Sequence, residues 1–186
     1  MWQQSITTYK PSNEQEATDK QVILDSFTRF DDLLTRNNKI AHFTCSGFVM
    51  NPARTHVLMI HHNIYNAWGW TGGHADGEYD FFAVAHREIV EETGVEALKP
   101  LTNEIISLDV LPVHGHMKKG QYITPHLHFY VTYGFEAPDS VVLTVNEEEN
   151  SGVAWIAVEA IATVCNEPHM IPIYEKIVQH IRKHDL

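Results

Sequence analysis

Two cysteines, Cys45 and Cys165, are all that this chain carries. They form no metal-ligand spacing and no disulfide framework, which excludes cysteine-rich zinc folds and stapled secreted scaffolds. Long apolar runs are missing as well. None approaches the roughly 18 residues that a membrane helix needs. The start, Met1-Trp2-Gln3-Gln4-Ser5, has no basic region followed by an apolar core and does not read as a signal peptide. Together these absences point to a reducing cytoplasm and away from membranes. Positive charge is also scarce. Lys and Arg total 13 against 24 Asp and Glu, a net charge of -11 with histidine neutral. Such a surface repels polyanions, so general binding of nucleic-acid polymers is excluded. A small phosphorylated substrate remains open, because a bound metal inverts the local sign. No internal repeat and no low-complexity linker interrupts the chain.

What is present concentrates between Gly72 and Gly94. No lysine stands there, and Arg87 is the only cation besides histidine. Read as a helix, Glu88, Glu91 and Glu92 occupy i, i+3 and i+4, so their carboxylates share one face. Phe82, Ala85 and Ile89 form a neighbouring apolar face that packs inward. Each close like-charge pair costs about 0.2–0.5 kcal/mol, and a helix selected for stability alone would interleave lysines. A bare Glu-Glu pair usually marks a solvated face. Three clustered carboxylates after a glycine pair instead suit a divalent cation such as Mg2+, Mn2+ or Ca2+ rather than zinc. Metal-clamped carboxylates beside a glycine loop suit displacement at phosphorus.

This stretch resembles the Nudix box. Arg87, Glu88, Ile89, Glu91, Glu92, Gly94 and Val95 match its second half, and Gly73 matches counted back from Arg87. The box's first Glu falls on Tyr79, while Glu78 stands one residue early, so the loop is one residue shorter and the following turn one longer. The resemblance implies a Nudix pyrophosphohydrolase, acting on the anhydride of a nucleoside diphosphate derivative or a similar small phosphorylated compound, with Mg2+ or Mn2+. It implies that Glu88 and Glu92 are the principal metal ligands, that Glu91 is a further one, and that the Gly73 carbonyl completes the shell. Arg87 would orient a carboxylate. Nudix enzymes are often dimers, so a homodimer is expected on the same ground. A noncatalytic Nudix-like nucleotide sensor is the alternative; it is disfavoured by the complete acidic set. Isopentenyl-diphosphate isomerase shares the likeness but uses a cysteine acid/base, and neither cysteine here has that context.

Local signals around the stretch set the fold class. Residues 1–17 read as polar and loosely ordered. Thr18 or Asp19 is the expected cap of a helix to about Asn37, with Ile23, Phe27, Phe30 and Leu34 as its stripe. Strands are expected at 42–50 and 55–62 around an Asn51–Arg54 hairpin loop, then near 105–112, 126–133 and 153–157. Residues 138–145 are ambiguous between strand and extended loop. The central helix starts at an Asp80 N-cap and ends at Gly94. A last helix follows Pro172, with Tyr174, Ile177, Val178 and Ile181 on one side. Helices before, between and after strands suggest mixed sheets covered on both faces. The resemblance implies the same α/β/α sandwich, so the expectation is one Nudix-like domain over 1–186, with 1–40 an N-terminal tail and helix packed on a 41–186 core.

Outside the box, several groups compete between chemistry and structure. The general base is either Glu88 or a glutamate of the late acidic loop. Some Nudix enzymes place a functional Glu six residues before a tryptophan-bearing strand, and Glu149 stands in that relation to Trp155. His126 and His128, at i and i+2 in a strand, share a side. With His114 and His116 they form a phosphate or second-metal candidate, zinc included, or serve structure alone. His74, directly after Gly73, points to substrate phosphate. Lys118 and Lys119 are a phosphate-contacting pair or a solvated loop tip. Tyr65, Trp68 and Trp70 stack a base or fill the core.

Overall fold

The structure is a computed structural model and describes residues 2–118 and 120–186. At its centre runs β1 (Ala41–Met50), ten residues that are all buried. It is buried on both faces, yet its first half alternates, with Ala41, Phe43 and Cys45 on one side and His42, Thr44 and Ser46 on the other. Along one edge β1 pairs in parallel with β9 (His126–Glu136), from Ala41 opposite Leu127 to Met50 opposite Glu136. On its other edge it pairs antiparallel with β4 (Thr71–His74) and then with β2 (His56–His62). Beyond these lie β3 (Ala67–Gly69) and β10 (Asn150–Ala157) on β2, and β5 (Lys99–Pro100) and β6 (Ser107–Val113) on β9. The sheet is therefore mixed, as expected. A parallel pair needs a long crossover, and the chain between β1 and β9 includes α3 (Phe81–Thr93).

Side chains alternate across β1 and split the core in two. Phe43, Cys45 and Val49 pack with Phe81, Ala85 and Ile89 of α3, while Phe48 and Met50 pack with Tyr174, Ile177 and Ile181 of α5 (Ile171–Lys183). The two faces of the sheet thus carry separate helical layers. Residues 113–125, between the two strands expected near 105–112 and 126–133, contain a small hairpin of β7 (His116–Lys118) and β8 (Gln121–Ile123). Residues 138–145 form no strand. After β10 come a 3-10 turn (Val158–Ala160) and α4 (Ile161–Val164).

The N-terminus departs from expectation. Residues before 18 are ordered as α1 (Trp2–Thr8) and the first turn of α2 (Glu14–Ser26). Asn13, not Thr18 or Asp19, caps α2, its side-chain oxygen accepting the Glu16 N–H at 2.9 Å. Thr18 lies inside the helix with its hydroxyl on the Glu14 carbonyl. Asp19 is taken by a tertiary bond, accepting the Val110 N–H at 3.0 Å. The apolar stripe does pack inward, but Phe30 and Leu34 reach the core from turns after the helix has ended at Ser26. Trp2 accounts for α1: its ring lies 5.2 Å from Phe27 and Phe43 and 5.7 Å from Phe81.

A buried ionic knot ties α2 to the sheet and to α5. Glu16 is 1% exposed and Asp109, on β6, is 0% exposed. Lys176 of α5 lies 2.9 Å from Glu16 and 2.5 Å from Asp109. Tyr9 and Ser107 hydroxyls donate to the same carboxylates, Tyr9 to Glu16 at 2.7 Å and Ser107 to Asp109 at 2.7 Å. Deleting one member of such a group leaves an uncompensated buried charge. Lys176→Met is expected to lower the unfolding free energy by about 3–5 kcal/mol, read as a fall in the urea midpoint. An unchanged midpoint would mean that the knot contributes nothing.

Candidate functional site

The central helix is set by its ends. Asp80 accepts the Ala83 N–H at 3.0 Å, and Gly94 closes the helix at φ 72°, a left-handed conformation that glycine adopts without a Cβ penalty. Between these caps Phe81, Val84, Ala85 and Ile89 are buried against the sheet. Fixing that face turns Glu88 and Glu92 towards β4. Glu92 is 2% exposed, and its Oε2 accepts the Gly72 N–H at 2.9 Å. The Glu88 carboxylate lies directly over Gly73. A Cβ there would sit 2.3 Å from Glu88 Cδ and Oε2, so only glycine lets the carboxylate approach. Glu91 is on the same helix but mostly exposed.

Arg87 faces the group from its rim. It bonds Glu78 Oε1 at 2.8 Å and reaches Glu88 and Glu91 only at 3.8 Å and 3.7 Å. The shifted Glu78 thus folds beside the helix as the main partner of Arg87. The inner carboxylates are left short of positive charge. Burial, then the charges of Glu91 and Glu149, pushes the Glu88 carboxyl up to about 7, although Arg87 opposes this. Burial pushes Glu92 up to about 9, opposed by the Gly72 N–H and reinforced by Glu88, Glu149 and Glu91. Of the late acidic loop, Glu149 is the member whose charge reaches both. The half-buried Glu88, the buried Glu92 and the mostly exposed Glu91, all hard oxygen donors, fit a divalent cation, which would relieve their mutual repulsion.

The register of β1 builds a second wall. His42 pairs with His128 across the parallel edge, and Thr44 pairs with His74 across the antiparallel one. Paired residues project to the same side, so His42, His74, His126 and His128 gather on one face of the sheet. Gly73 pairs with Cys45 and so faces the other way, towards α3. Of His114 and His116, expected to join this set, His116 does so from the hairpin, lining one cavity with His42, His74, His126 and His128; His114 is exposed, and its carbonyl lies 2.9 Å from the His116 Nδ1. Burial lowers His74 to about 3 and His128 to about 2, so both imidazoles are uncharged. His42 is lowered by the same cause.

Two adjoining cavities, of about 130 and 160 Å³, share this wall. The first reaches Glu92, Gly72 and Gly73; the second takes in Arg36, Lys39 and Lys118. His62, Tyr65, His74 and His128 border both. Lys118 is therefore at the site, while Lys119 lies outside the described residues. Tyr65 is 41% exposed at the cavity mouth, whereas Trp70 is 8% exposed and packs on Tyr130 and Tyr174. Sequence reasoning missed His42, His62, Arg36 and Lys39. For the first two the only local signal was an ordinary strand, and their placement depends on strand pairing.

A family model described as NUDIX domain matches residues 42–180. The chain belongs to the Nudix family. Among solved structures it is similar to an Ap4A hydrolase of C. elegans (18% identity, 76% of this chain and 98% of that one, TM-score 0.55). It is also similar to a NUDIX hydrolase from Listeria monocytogenes (15%, 77% and 96%, TM-score 0.57). A third is the dihydroneopterin triphosphate pyrophosphohydrolase of E. coli (14%, 74% and 94%, TM-score 0.55). These identities establish a shared fold. No curated relative matches the sequence.

The raised carboxylates have a consequence for stability. A folded pKa above the ordinary carboxylate value means that the native state holds the proton more tightly than the unfolded chain. Stability without divalent cations should then fall as pH rises from about 4.5 to about 9, the window between the unfolded and native values of Glu92. Melting temperatures measured in EDTA across that window should decline, and saturating Mg2+ should flatten the decline. A Glu92→Gln variant with the same slope as the wild type would refute the assignment to this residue.

Proposed function

We propose that this protein is a Mg2+- or Mn2+-dependent pyrophosphohydrolase acting on a nucleoside diphosphate derivative or a similar small phosphorylated compound. The observation that carries this reading is the pair Glu88 and Glu92, held against Gly72–Gly73 without matching positive charge, with Glu92 bordering one cavity and Lys39 and Lys118 lining the adjoining one. Glu88 and Glu92 are the main ligands, Glu91 adds a carboxylate directly or through water, and the Gly73 carbonyl completes the set. When bound, the divalent ions neutralise phosphate oxygens and acidify the attacking water.

The chain's own residues do the rest. Arg87, held by Glu78, positions the Glu88 carboxylate rather than touching substrate. Glu149 takes the proton of the attacking water, since Glu88 and Glu92 are committed to ligation. Its loop is braced for that role: the Asn63 N–H donates to the Glu149 carbonyl at 3.0 Å, and the Glu149 N–H donates to the Asn146 carbonyl at 2.9 Å. Water oxygen attacks one phosphorus of the anhydride, and the bridging oxygen leaves with the other phosphate. Lys118, with Lys39, faces the anionic part of the substrate, while Arg36 beside them is paired with Asp76. His74, His126 and His128 line the same wall. Tyr65 is placed to lie against a flat group such as a base.

Activity with Mg2+ should be screened on nucleotide sugars, nucleoside triphosphates, Ap4A and dihydroneopterin triphosphate. Glu92→Gln is expected to abolish turnover of whichever compound is cleaved, with the far-ultraviolet spectrum of the fold retained; persistent turnover would sink the proposal. Glu149→Gln is expected to lower kcat by about 10²–10⁴ with KM little changed. An unaltered kcat would return the base role to Glu88. Tight metal-dependent binding without cleavage of any compound would favour a sensor.

A further inference from the structure

We propose that His42, His74 and His128 form a second metal site, specific for zinc or a similar transition metal, with an open position facing the cavity. This site uses a ligand set distinct from the glutamates, from the opposite face of β4, and it does not depend on the proposed reaction. The ring nitrogens that the three residues offer all lie within 4.8 Å of one another. Their ring centroids are 4.9–5.1 Å apart in every pairing. In a tetrahedral zinc site with Zn–N bonds of about 2.0–2.1 Å, ligand nitrogens stand about 3.3 Å apart. Small side-chain rotations close the difference.

The hydrogen bonds prepare the lone pairs. The His42 Nδ1 lies 3.0 Å from the Asn38 carbonyl, so it carries the proton and donates it. That leaves the Nε2 lone pair free, and this atom is buried with no hydrogen-bond partner among the described residues. A ligating histidine held by a backbone carbonyl through its other nitrogen is the usual arrangement around zinc. An unpaired polar atom in such a place is otherwise unfavourable. His128 has neighbours on both nitrogens, His126 Nε2 at 3.1 Å and the Tyr130 hydroxyl at 3.3 Å. Metal binding releases one of these, and the other remains to orient the ring. His126 is in turn held by its Nδ1 on the Thr124 carbonyl at 2.8 Å.

The ligand set separates the two sites. Three neutral nitrogen donors favour zinc, whereas the carboxylates across β4 favour magnesium or manganese. Adjacent residues Gly73 and His74 face opposite sides of that strand, because they pair with Cys45 and Thr44. The cavity that reaches Glu92 is also bordered by His74 and His128. An ion held by three histidines, with its fourth position open, would present positive charge to an anionic oxygen of the cavity's occupant. Uncharged imidazoles alone lack that charge.

The probe is the metal itself. The full chain is dialysed against Zn2+ in saturating Mg2+, which keeps the carboxylates occupied, and bound zinc is measured by elemental analysis. Co2+ in place of Zn2+ reports tetrahedral nitrogen ligation by its visible absorption. Wild type and Glu92→Gln should each retain one equivalent of zinc and show the Co2+ bands. His74→Ala and His128→Ala should lose affinity by more than the roughly 10–100-fold that removal of an orienting partner costs. His74 is only half-buried, so that variant tests the site even where the His128 substitution disturbs folding. Zinc should also raise the melting temperature of the wild type and not of His74→Ala. Failure of the wild type to retain zinc would overturn the proposal. So would zinc that leaves with Glu92→Gln and stays with His74→Ala.

Discussion

The geometry of the candidate site depends on two glutamate carboxylates pressed against a glycine backbone. Glu88 and Glu92 cannot move outward, because the same helix buries Ile89, Ala85 and Phe81 on the sheet. They cannot be met by bulkier residues on the strand, because a single Cβ at Gly73 would occupy the space of the Glu88 carboxylate. Arg87 is spent largely on Glu78 at the rim. What results is a pair of carboxyls that the fold holds without a matching cation and that therefore keep their protons to a higher pH than usual. On the proposed function, a cation bound there would couple stability to activity, since it would stabilise the native state and have no comparable site in the unfolded chain.

The strand β1 links this pocket to the rest of the fold. Its Cys45 side faces α3 and the carboxylates; its His42, Thr44 and Ser46 side faces the histidine wall. One strand therefore fixes the distance between an acidic surface and a nitrogen-rich one. The cavity along the histidine wall carries Lys39 and Lys118, beside an Arg36 that is paired with Asp76, on a chain of net charge -11. That contrast of sign suits a small anionic substrate.

The N-terminal region is held by different physics. Trp2 seals one layer with Phe27, Phe43 and Phe81, and the knot of Glu16, Lys176 and Asp109 locks α2 to both β6 and α5. Neither is visible as a local pattern. The stripe from Ile23 to Leu34 has helical spacing, yet the helix ends at Ser26 and turns carry the last two apolar residues inward. Cap choice followed tertiary demand as well: Asn13 caps α2, while Asp19 is recruited to the backbone of β6.

The central helix was legible because every signal for it is local. Asp80, Gly94 and the spacing of Glu88, Glu91 and Glu92 act within a few residues of one another, and the cap and the left-handed glycine need no distant partner. The last helix was legible for the same reason, through Pro172 and the stripe at Tyr174, Ile177, Val178 and Ile181. The convergence of His42 with His74 and His128 was not, nor was the reach of Glu149 towards Glu88 and Glu92. These depend on strand register, and a slip of one residue would turn every histidine of β9 to the opposite face. By itself the sequence determined a helix, its caps and an acidic face, because hydrogen bonds within a turn decide them. Only the tertiary structure decided which strand lies beside which, because pairing is set by the burial of whole faces and not by neighbours in the chain.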